Sequence, residues 1–305
     1  MGHLLQMSAP VVDSIYRLHA FPQRGREAAV AGHQMAAGGG LNAMAAARAA
    51  GMTVRLGGSL GTGPMAEMVA QSLHALDIPL ARARVPGLDQ GLCTVLIEPD
   101  GERSFITHTG AEAQIPAGAL DSIDLQDVAW VMLSGYSLQG AGSGAALADW
   151  IAALPARICV LFDPSPLVAD LPQAHLAPVL ARADWVSANQ DEAMVLHPAP
   201  DAETCAQALA EGRKGALLRQ GAAGCLLATS GTVTLVPPHK VSPRDTNGAG
   251  DTHIGSFIAE LAQSGDALRA ARYANIAAAL ATTRDGPATP PLRAEVDALM
   301  GSLPA

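Results

Sequence analysis

Apolar positions along this chain recur with two periods that take turns: short near-continuous apolar runs, then stretches with apolar residues three and four apart. Leu4 to Val12 reads as an apolar strand ending at Asp13, with Ser14 to Leu18 extended beyond the acid. Gly38-Gly39-Gly40-Leu41-Asn42 leads into an alanine-rich helix, Ala43 to Ala50, which Gly51 stops as a C′ residue. Val54 to Leu60 is the next strand, and Pro64 opens a helix carrying Met65, Met68, Val69, Leu73 and Leu76 at helical spacing, a core stripe. Leu92 to Glu98 and Arg103 to Thr107 are two strands joined by the turn Pro99-Asp100-Gly101-Glu102. Strands at Val128 to Leu133, Ile158 to Asp163 and Trp185 to Ser187 then follow, with helices at Ala145 to Leu154 and Glu203 to Arg213. Leu217 to Arg219 and Cys225 to Thr229 flank Gly221-Ala222-Ala223-Gly224 as a second hairpin, and two final helices start at Gly250 and Asp266, the latter running to Thr283.

Strand and helix alternating in this way predict an α/β fold: a doubly wound, mostly parallel sheet with helices on both faces. The hairpin at 92–107 breaks the rhythm and reads as a small β-strand lid or as a plain edge hairpin. No internal repeat and no low-complexity linker interrupts the pattern, so residues 1–305 are expected to form a single α/β domain.

Composition narrows the partners. The 305 residues are 49% apolar and 15% charged, enough to bury a large core, and the net charge of -9 argues against nucleic acid or an anionic membrane surface as a partner. Met1 to Ala20 has no basic segment ahead of an apolar run, and no apolar run reaches the roughly 18 residues a membrane span needs, so a cytoplasmic protein is expected. Cys93, Cys159, Cys205 and Cys225 are scattered, form no C-x-x-C pair, and read as core thiols. Neither a P-loop nor a strand-borne G-x-G-x-x-G is present; Gly140-Ala141-Gly142-Ser143-Gly144 lacks the spacing.

The chemistry concentrates in Asp245-Thr246-Asn247-Gly248-Ala249-Gly250-Asp251. Ile254, Phe257, Ile258 and Leu261 place a helix directly after the glycines, so the N–H groups of Gly248, Ala249 and Gly250 would point at a bound anion, helped by the helix dipole. Asp251, at the same helix start, could take a proton from a hydroxyl attacking a phosphate held there. An ordinary glycine turn and helix start is the alternative reading. Other residues carry similar pairs of readings. Asp13 is a ligand-facing acid at a strand end or a turn cap. Gly38 and Gly39 let a ligand approach the backbone, and Asn42 suits sugar hydroxyls or serves as an N-cap. Asn189 and Glu192, at the strand-to-helix turn Asn189-Gln190-Asp191-Glu192, face one ligand edge or form a cap with its acidic first turn.

Taken together and in this order, Asp13, Gly38-Gly39 with Asn42, the hairpin, Asn189-x-x-Glu192 and Asp245-Thr246-x-Gly-Ala-Gly-Asp251 resemble the ribokinase-like (PfkB) carbohydrate kinase family over nearly the whole chain. The resemblance implies a ribokinase-like domain with a lid drawn from roughly residues 13–36 and 88–112. It also implies ATP- and Mg²⁺-dependent phosphorylation of a hydroxymethyl group on a small-molecule sugar. By that resemblance Asp251 is the catalytic base and Gly248, Ala249 and Gly250 the anion hole. Asp13, Gly38, Gly39 and Asn42 hold sugar hydroxyls. Asn189 and Glu192 serve magnesium and the phosphates. Arg219, Gly221, Gly224 and Thr246 belong to the nucleotide site, and Asn275 lies on the helix lining the purine. A potassium ion beside the anion hole would be held by Asp245, Asn247, Ala281, Arg284 and Gly286, mostly through carbonyls. Pairing of two copies through the lid is a further implication.

Three departures stand out: Ala37 takes the first place of the usual glycine pair, Arg219 stands where relatives often carry Thr, and Gly286-Pro287-Ala288-Thr289 alters the cation-loop ending. An Asp of ordinary pKa near 3.9 is a weak base, so catalysis would rest on positioning. Aromatic content of 3%, with Tyr16, Phe21, Phe105 and Tyr136 near the expected site, tilts the acceptor toward a sugar rather than a nucleoside. A non-catalytic sugar or nucleotide sensor on the same fold is the remaining alternative.

Overall fold

The computed structural model describes residues 2–301. In chain order its strands are β1 His3–Gln6, β2 Pro10–Leu18, β3 Val30–Gly39, β4 Val54–Leu56, β5 Leu92–Ile97, β6 Arg103–His108, β7 Val128–Ser134, β8 Cys159–Asp163, β9 Trp185–Asn189, β10 Gly215–Arg219, β11 Cys225–Thr229 and β12 Thr232–Val236. Its helices are α1 Gly40–Ala49, α2 Pro64–Ala75, α3 Ala141–Ala152, α4 Gln173–Arg182, α5 Gln190–Leu196, α6 Ala202–Ala210, α7 Ala249–Ser264, α8 Ala267–Thr282 and α9 Arg293–Met300.

Eight strands form the central sheet in the order β12-β11-β10-β9-β8-β7-β1-β4, parallel from β10 to β4, with β11 and β12 antiparallel at one edge. Alternation along the strands divides the core in two. Leu4, Met132 and Leu161 face a cluster built with α1, α2, α7, α8 and α9, while Leu5, Val131, Val160 and Phe162 face one built with α3, α4, α5 and α6. The doubly wound expectation holds.

A second, four-stranded sheet has the order β3-β2-β5-β6, with β2 parallel to β5 and the other pairs antiparallel. Here the strand expected over Leu4 to Val12 divides. Met7 to Ala9 leaves the central sheet, Ser8 Oγ accepts from the Ser134 N–H at 2.6 Å, and Pro10 starts β2 in the small sheet. Asp13 therefore lies inside a strand of the small sheet, not at the end of a central one. β3 escapes the pattern because it is largely exposed and lacks an apolar face, β12 because it is short and largely exposed, α4 because Pro178 interrupts it, and α9 because only Val296 is buried.

The helix bearing Asp251 packs against α1 and α8, and its crossing of α1 is close. A Cβ on Gly255 of α7 would lie 2.1 Å from the Ala43 carbonyl oxygen of α1, so the two helices cross at a distance only glycine permits. Gly255→Ala is expected to cost about 1–3 kcal/mol by overpacking, read as a lower urea midpoint at unchanged m-value.

Candidate active site

Four adjacent strands of the central sheet, β7, β8, β9 and β10, carry their carboxyl ends to one edge, and the residues gathered there include Asp163, Asn189 and Arg219. Facing them is the start of α7. Gly248 caps this helix at φ 73, a left-handed conformation that favours glycine; the helix start has no intrahelical carbonyls for its first amides, and the Ala249 N–H is bonded instead to the Thr246 carbonyl at 3.3 Å. Thr252 N–H is bonded to the Gly248 carbonyl at 2.8 Å, which starts the regular ladder.

Asp251 sits in that first turn. Asn42, 209 residues earlier on α1, donates from Nδ2 to Asp251 Oδ2 at 3.1 Å. The N-cap reading of Asn42 fails: Gly39 is the cap of α1, and Asn42 lies inside the helix, buried. Its amide oxygen is buried with no hydrogen-bond partner among the described residues. Burial raises the Asp251 pKa to about 7; the Asn42 bond lowers it and the nearby Asp163 charge raises it further. The expected weak base of ordinary pKa is thus corrected: this carboxylate changes charge near neutral pH.

Asp13 of β2 joins the same pocket from the small sheet. Burial lifts its pKa to about 6, partly offset by hydrogen bonding with the Asn247 side chain. Gly38 of β3 makes room for it, since a Cβ there would lie 2.2 Å from Asp13 Oδ2. The run Ala37-Gly38-Gly39-Gly40 has separate uses: Gly39 turns the chain at φ 58, and a Cβ on Gly40 would strike the Ser8 carbonyl oxygen at 2.0 Å.

Arg219, at the end of β10, reaches Ser187 Oγ at 3.1 Å, Glu192 Oε2 at 3.3 Å and Asp163 Oδ1 at 3.5 Å. Its guanidinium carbon would lie 3.7 Å from a Cβ on Gly250, which puts it against the α7 amides. Burial raises the pKa of both acids, with Arg219 pulling each back, and the Asp163 charge adds to the rise at Glu192. Asn189 and Glu192 form a reciprocal cap on α5: Asn189 N–H donates to Glu192 Oε2 at 2.8 Å, and Glu192 N–H to Asn189 Oδ1 at 2.9 Å. The cap reading is realised, and it also holds Glu192 toward Arg219. Gly221 and Gly224 turn the β10–β11 connection at φ 56 and φ 94, and a Cβ on Gly224 would strike the Val236 carbonyl oxygen at 2.3 Å.

Other expected site residues sit elsewhere or do other work. Asn275 is buried with its amide committed: Nδ2 donates to the Val236 and Pro237 carbonyls at 3.0 Å, and Oδ1 meets His253 Nε2 at 3.1 Å. Its side chain therefore holds the segment after β12 in place. Arg284 donates to the Pro290 carbonyl at 2.7 Å and pairs with Glu295 at 2.5 Å. The Asp245 carboxylate accepts from Asn247 N–H at 2.9 Å, Gly286 N–H at 3.3 Å and Arg103 Nη2 at 2.9 Å. Thr246 Oγ1 lies 3.4 Å from Arg103 Nη1.

Two participants were missed. Asp163 carries the same signal used for Asp13, an acid closing an apolar strand, and could have been found by it. Arg103 carries no local signal. The cysteine expectation holds for Cys159, Cys205 and Cys225, which are buried, while Cys93 is half-buried. No helix among the described residues is long and apolar enough to cross a membrane.

Comparison with known proteins fits this geometry. Residues 6–294 match the pfkB family carbohydrate kinase profile. The sugar kinase YegV of Escherichia coli (strain K12), itself described as uncharacterized, is 29% identical over 265 residues, 85% of this chain and 82% of that protein. The ATP-dependent ribose-1-phosphate kinase of Halopiger xanaduensis is 28% identical over 297 residues, 94% of each. Among solved structures, Arabidopsis thaliana ribokinase complexed with ribose and ATP superposes with a TM-score of 0.79 at 22% identity, covering 98% of both chains, a likeness of fold. A match running from β1 into α9, on a fold with these neighbours and around this acid and glycine turn, shows that the chain belongs to the pfkB family of carbohydrate kinases and is a phosphotransferase.

Proposed function

We propose that this protein transfers the γ-phosphoryl group of ATP to a primary hydroxyl of a small carbohydrate, with Asp251 as general base. The observation that carries the reading is the Asn42 amide: its Nδ2 orients Asp251, while its Oδ1 lacks a donor that a sugar hydroxyl would supply. Asp251 takes the proton of the attacking hydroxyl as its oxygen bonds phosphorus and the bond to ADP breaks. A base with pKa about 7 is matched to that task at neutral pH. The N–H groups of Gly248 and Gly250, and that of Ala249 on leaving the Thr246 carbonyl, donate to the phosphoryl oxygens as charge develops there, and Arg219 adds a cation beside them. Asp13, with Gly38 making room for its carboxylate, orients the acceptor.

Magnesium, when bound, neutralises phosphate charge. Asp163 and Glu192 offer hard oxygen donors that a magnesium ion would have to share with, or take from, the Arg219 guanidinium paired with both. The small sheet acts as a lid over the acceptor, excluding water that would compete for the phosphoryl group. A pair of copies joined through that sheet fits the apolar side chains it leaves exposed, Phe105 and Ile106 among them.

A nucleoside acceptor is the second reading, favoured by Tyr136, a ring 57% exposed just after β7 at the same edge of the central sheet and close enough for the Asp163 and Asp251 charges to act on its hydroxyl. Against it, the Tyr16 ring is already packed on His33 at 4.4 Å between centroids.

ADP release measured over a panel of sugars, sugar phosphates and nucleosides tests the proposal. Release dependent on a sugar supports it, release with nucleosides alone favours the second reading, and binding without ADP release makes the protein a sensor. The pH profile gives a sharper check. kcat/KM should rise with pH through about 7 as Asp251 loses its proton. Because the Asn42 bond lowers that pKa, Asn42→Ala should move the acid limb to higher pH as well as reduce the rate. A limb unchanged in Asn42→Ala would show that another group titrates.

A further inference from the structure

The buried acid that opens the glycine turn already has a full positive charge on it, and that charge comes from the small sheet. Arg103 is the first residue of β6, just after the hairpin tip that Glu98 N–H closes onto the Glu102 carbonyl at 2.9 Å. From there its guanidinium spans 142 residues of sequence to Asp245 Oδ1 at 2.9 Å, with Thr246 Oγ1 at 3.4 Å from the other nitrogen. Asp245 is 7% exposed and Arg103 25% exposed, so the pair is largely shielded from water. Among the described residues, Arg103 is the only cation bridged to this carboxylate.

Asp245 is also where three segments meet. Its N–H is bonded to the Thr282 carbonyl at 3.0 Å, and its carboxylate receives the N–H groups of Asn247 and Gly286, so it holds the start of the anion-hole loop against the end of α8 and the turn after it. A buried carboxylate gathering three strands of backbone needs a counter-charge.

A potassium ion would have to compete with existing hydrogen bonds at three of the residues expected to hold it, Asp245, Ala281 and Gly286. Both oxygens of Asp245 already accept hydrogen bonds, one of them from a guanidinium. The Ala281 carbonyl accepts the Arg284 N–H at 3.1 Å, and the Gly286 carbonyl accepts Thr289 Oγ1 at 3.1 Å.

We propose that Arg103 is the resident cation of this site: its guanidinium takes the place of a free alkali ion at Asp245 and couples the position of the lid to the geometry of the anion hole. Arg103 is a positioning residue in this scheme, acting on the phosphoryl group through Asp245 and the loop to Gly248. Two consequences follow. Turnover is indifferent to which monovalent cation is present, and loss of Arg103 lowers kcat more than it weakens ATP binding. The proposal rests on the kinase reading above.

The test compares wild type, Arg103→Ala and Arg103→Lys in KCl and in N-methylglucamine chloride of equal ionic strength, by ADP release and by thermal melting. Wild type should give the same kcat and the same melting temperature in both salts. Arg103→Ala should lose roughly tenfold or more in kcat, the scale of one charge-assisted contact, with KM for ATP little changed. Millimolar guanidinium should restore part of that loss, which a merely structural role would not allow, and Arg103→Lys should lie between the two. Strong activation of wild type by potassium overturns the proposal whether or not the variants fold, as does wild-type kcat in Arg103→Ala. The melting comparison stands apart from the choice of substrate: a potassium-specific rise in the wild-type melting temperature rejects the resident-cation reading even if no acceptor is turned over, whereas failure of the acceptor panel alone rejects only the proposed reaction.

Discussion

Asp251→Asn is expected to lower kcat by about 10²- to 10⁴-fold, the range a positioned general base supplies, while ATP affinity stays nearly the same. Asn preserves the shape of the side chain and removes the proton acceptor. The same substitution carries a second signature with its own sign. Burial raises the Asp251 pKa from 3.8 to about 7, so the folded state binds this proton more tightly than the unfolded state does. At pH 4 the carboxyl is neutral in the fold and its burial costs little. As pH rises from about 4 to 7 the unfolded chain ionises readily, the folded one reluctantly, and stability is lost. Asp251→Asn removes that penalty, so its melting temperature should exceed wild type at pH 8 and the advantage should shrink toward pH 4. Normal turnover in the variant would end the base assignment. A stability difference flat in pH would mean that Asp251 ionises as an exposed acid does.

Gly38→Ala is expected to raise KM for the acceptor by about 10- to 100-fold, equivalent to about 1.4–2.8 kcal/mol, with KM for ATP unchanged. The added methyl would sit 2.2 Å from Asp13 Oδ2 and must displace that carboxylate. Asp13 enters the pocket from the small sheet, bonded to Asn247, and is assigned to the acceptor rather than to the phosphates, so the effect should separate by substrate. Thermal melting tells a displaced carboxylate from a misfolded sheet, since Gly38 has φ in the ordinary range and the strand itself tolerates a side chain there. An unchanged acceptor KM in a folded variant would remove Asp13 from acceptor binding.

How far the site was legible depends on the range of the interaction. Asp245 to Asp251 announces itself because helix start, glycine turn and acid are written within seven residues. Asn189 and Glu192 were legible as a capping box by the same local logic, and the structure forms it. Asn42 was legible as a polar residue at a helix start, but its job is not a local one, and the cap reading gave way to a bond with Asp251. Asn275 was placed on its helix correctly, yet its amide is spent on the chain after β12. The strand split at Met7 to Ala9 was hidden because an apolar run does not say which sheet each half joins.

By itself the sequence determined what depends on neighbours along the chain: the α/β rhythm, the anion-binding turn and its helix, the kinds of side chain available for acid, base and phosphate chemistry, and the family they resemble. Only the tertiary structure decided which of those groups meet and in what state. It set Asp251 against Asn42 across 209 residues, gathered Asp163 and Arg219 from two strand ends with Glu192 from the first turn of α5, and delivered Arg103 to Asp245 across 142. The physical reason is that burial and the field of surrounding charges sum over every element packed around a group. An aspartate whose ordinary pKa is 3.8 acquires one of about 7 only when α1, α7 and the ends of the central strands close around it.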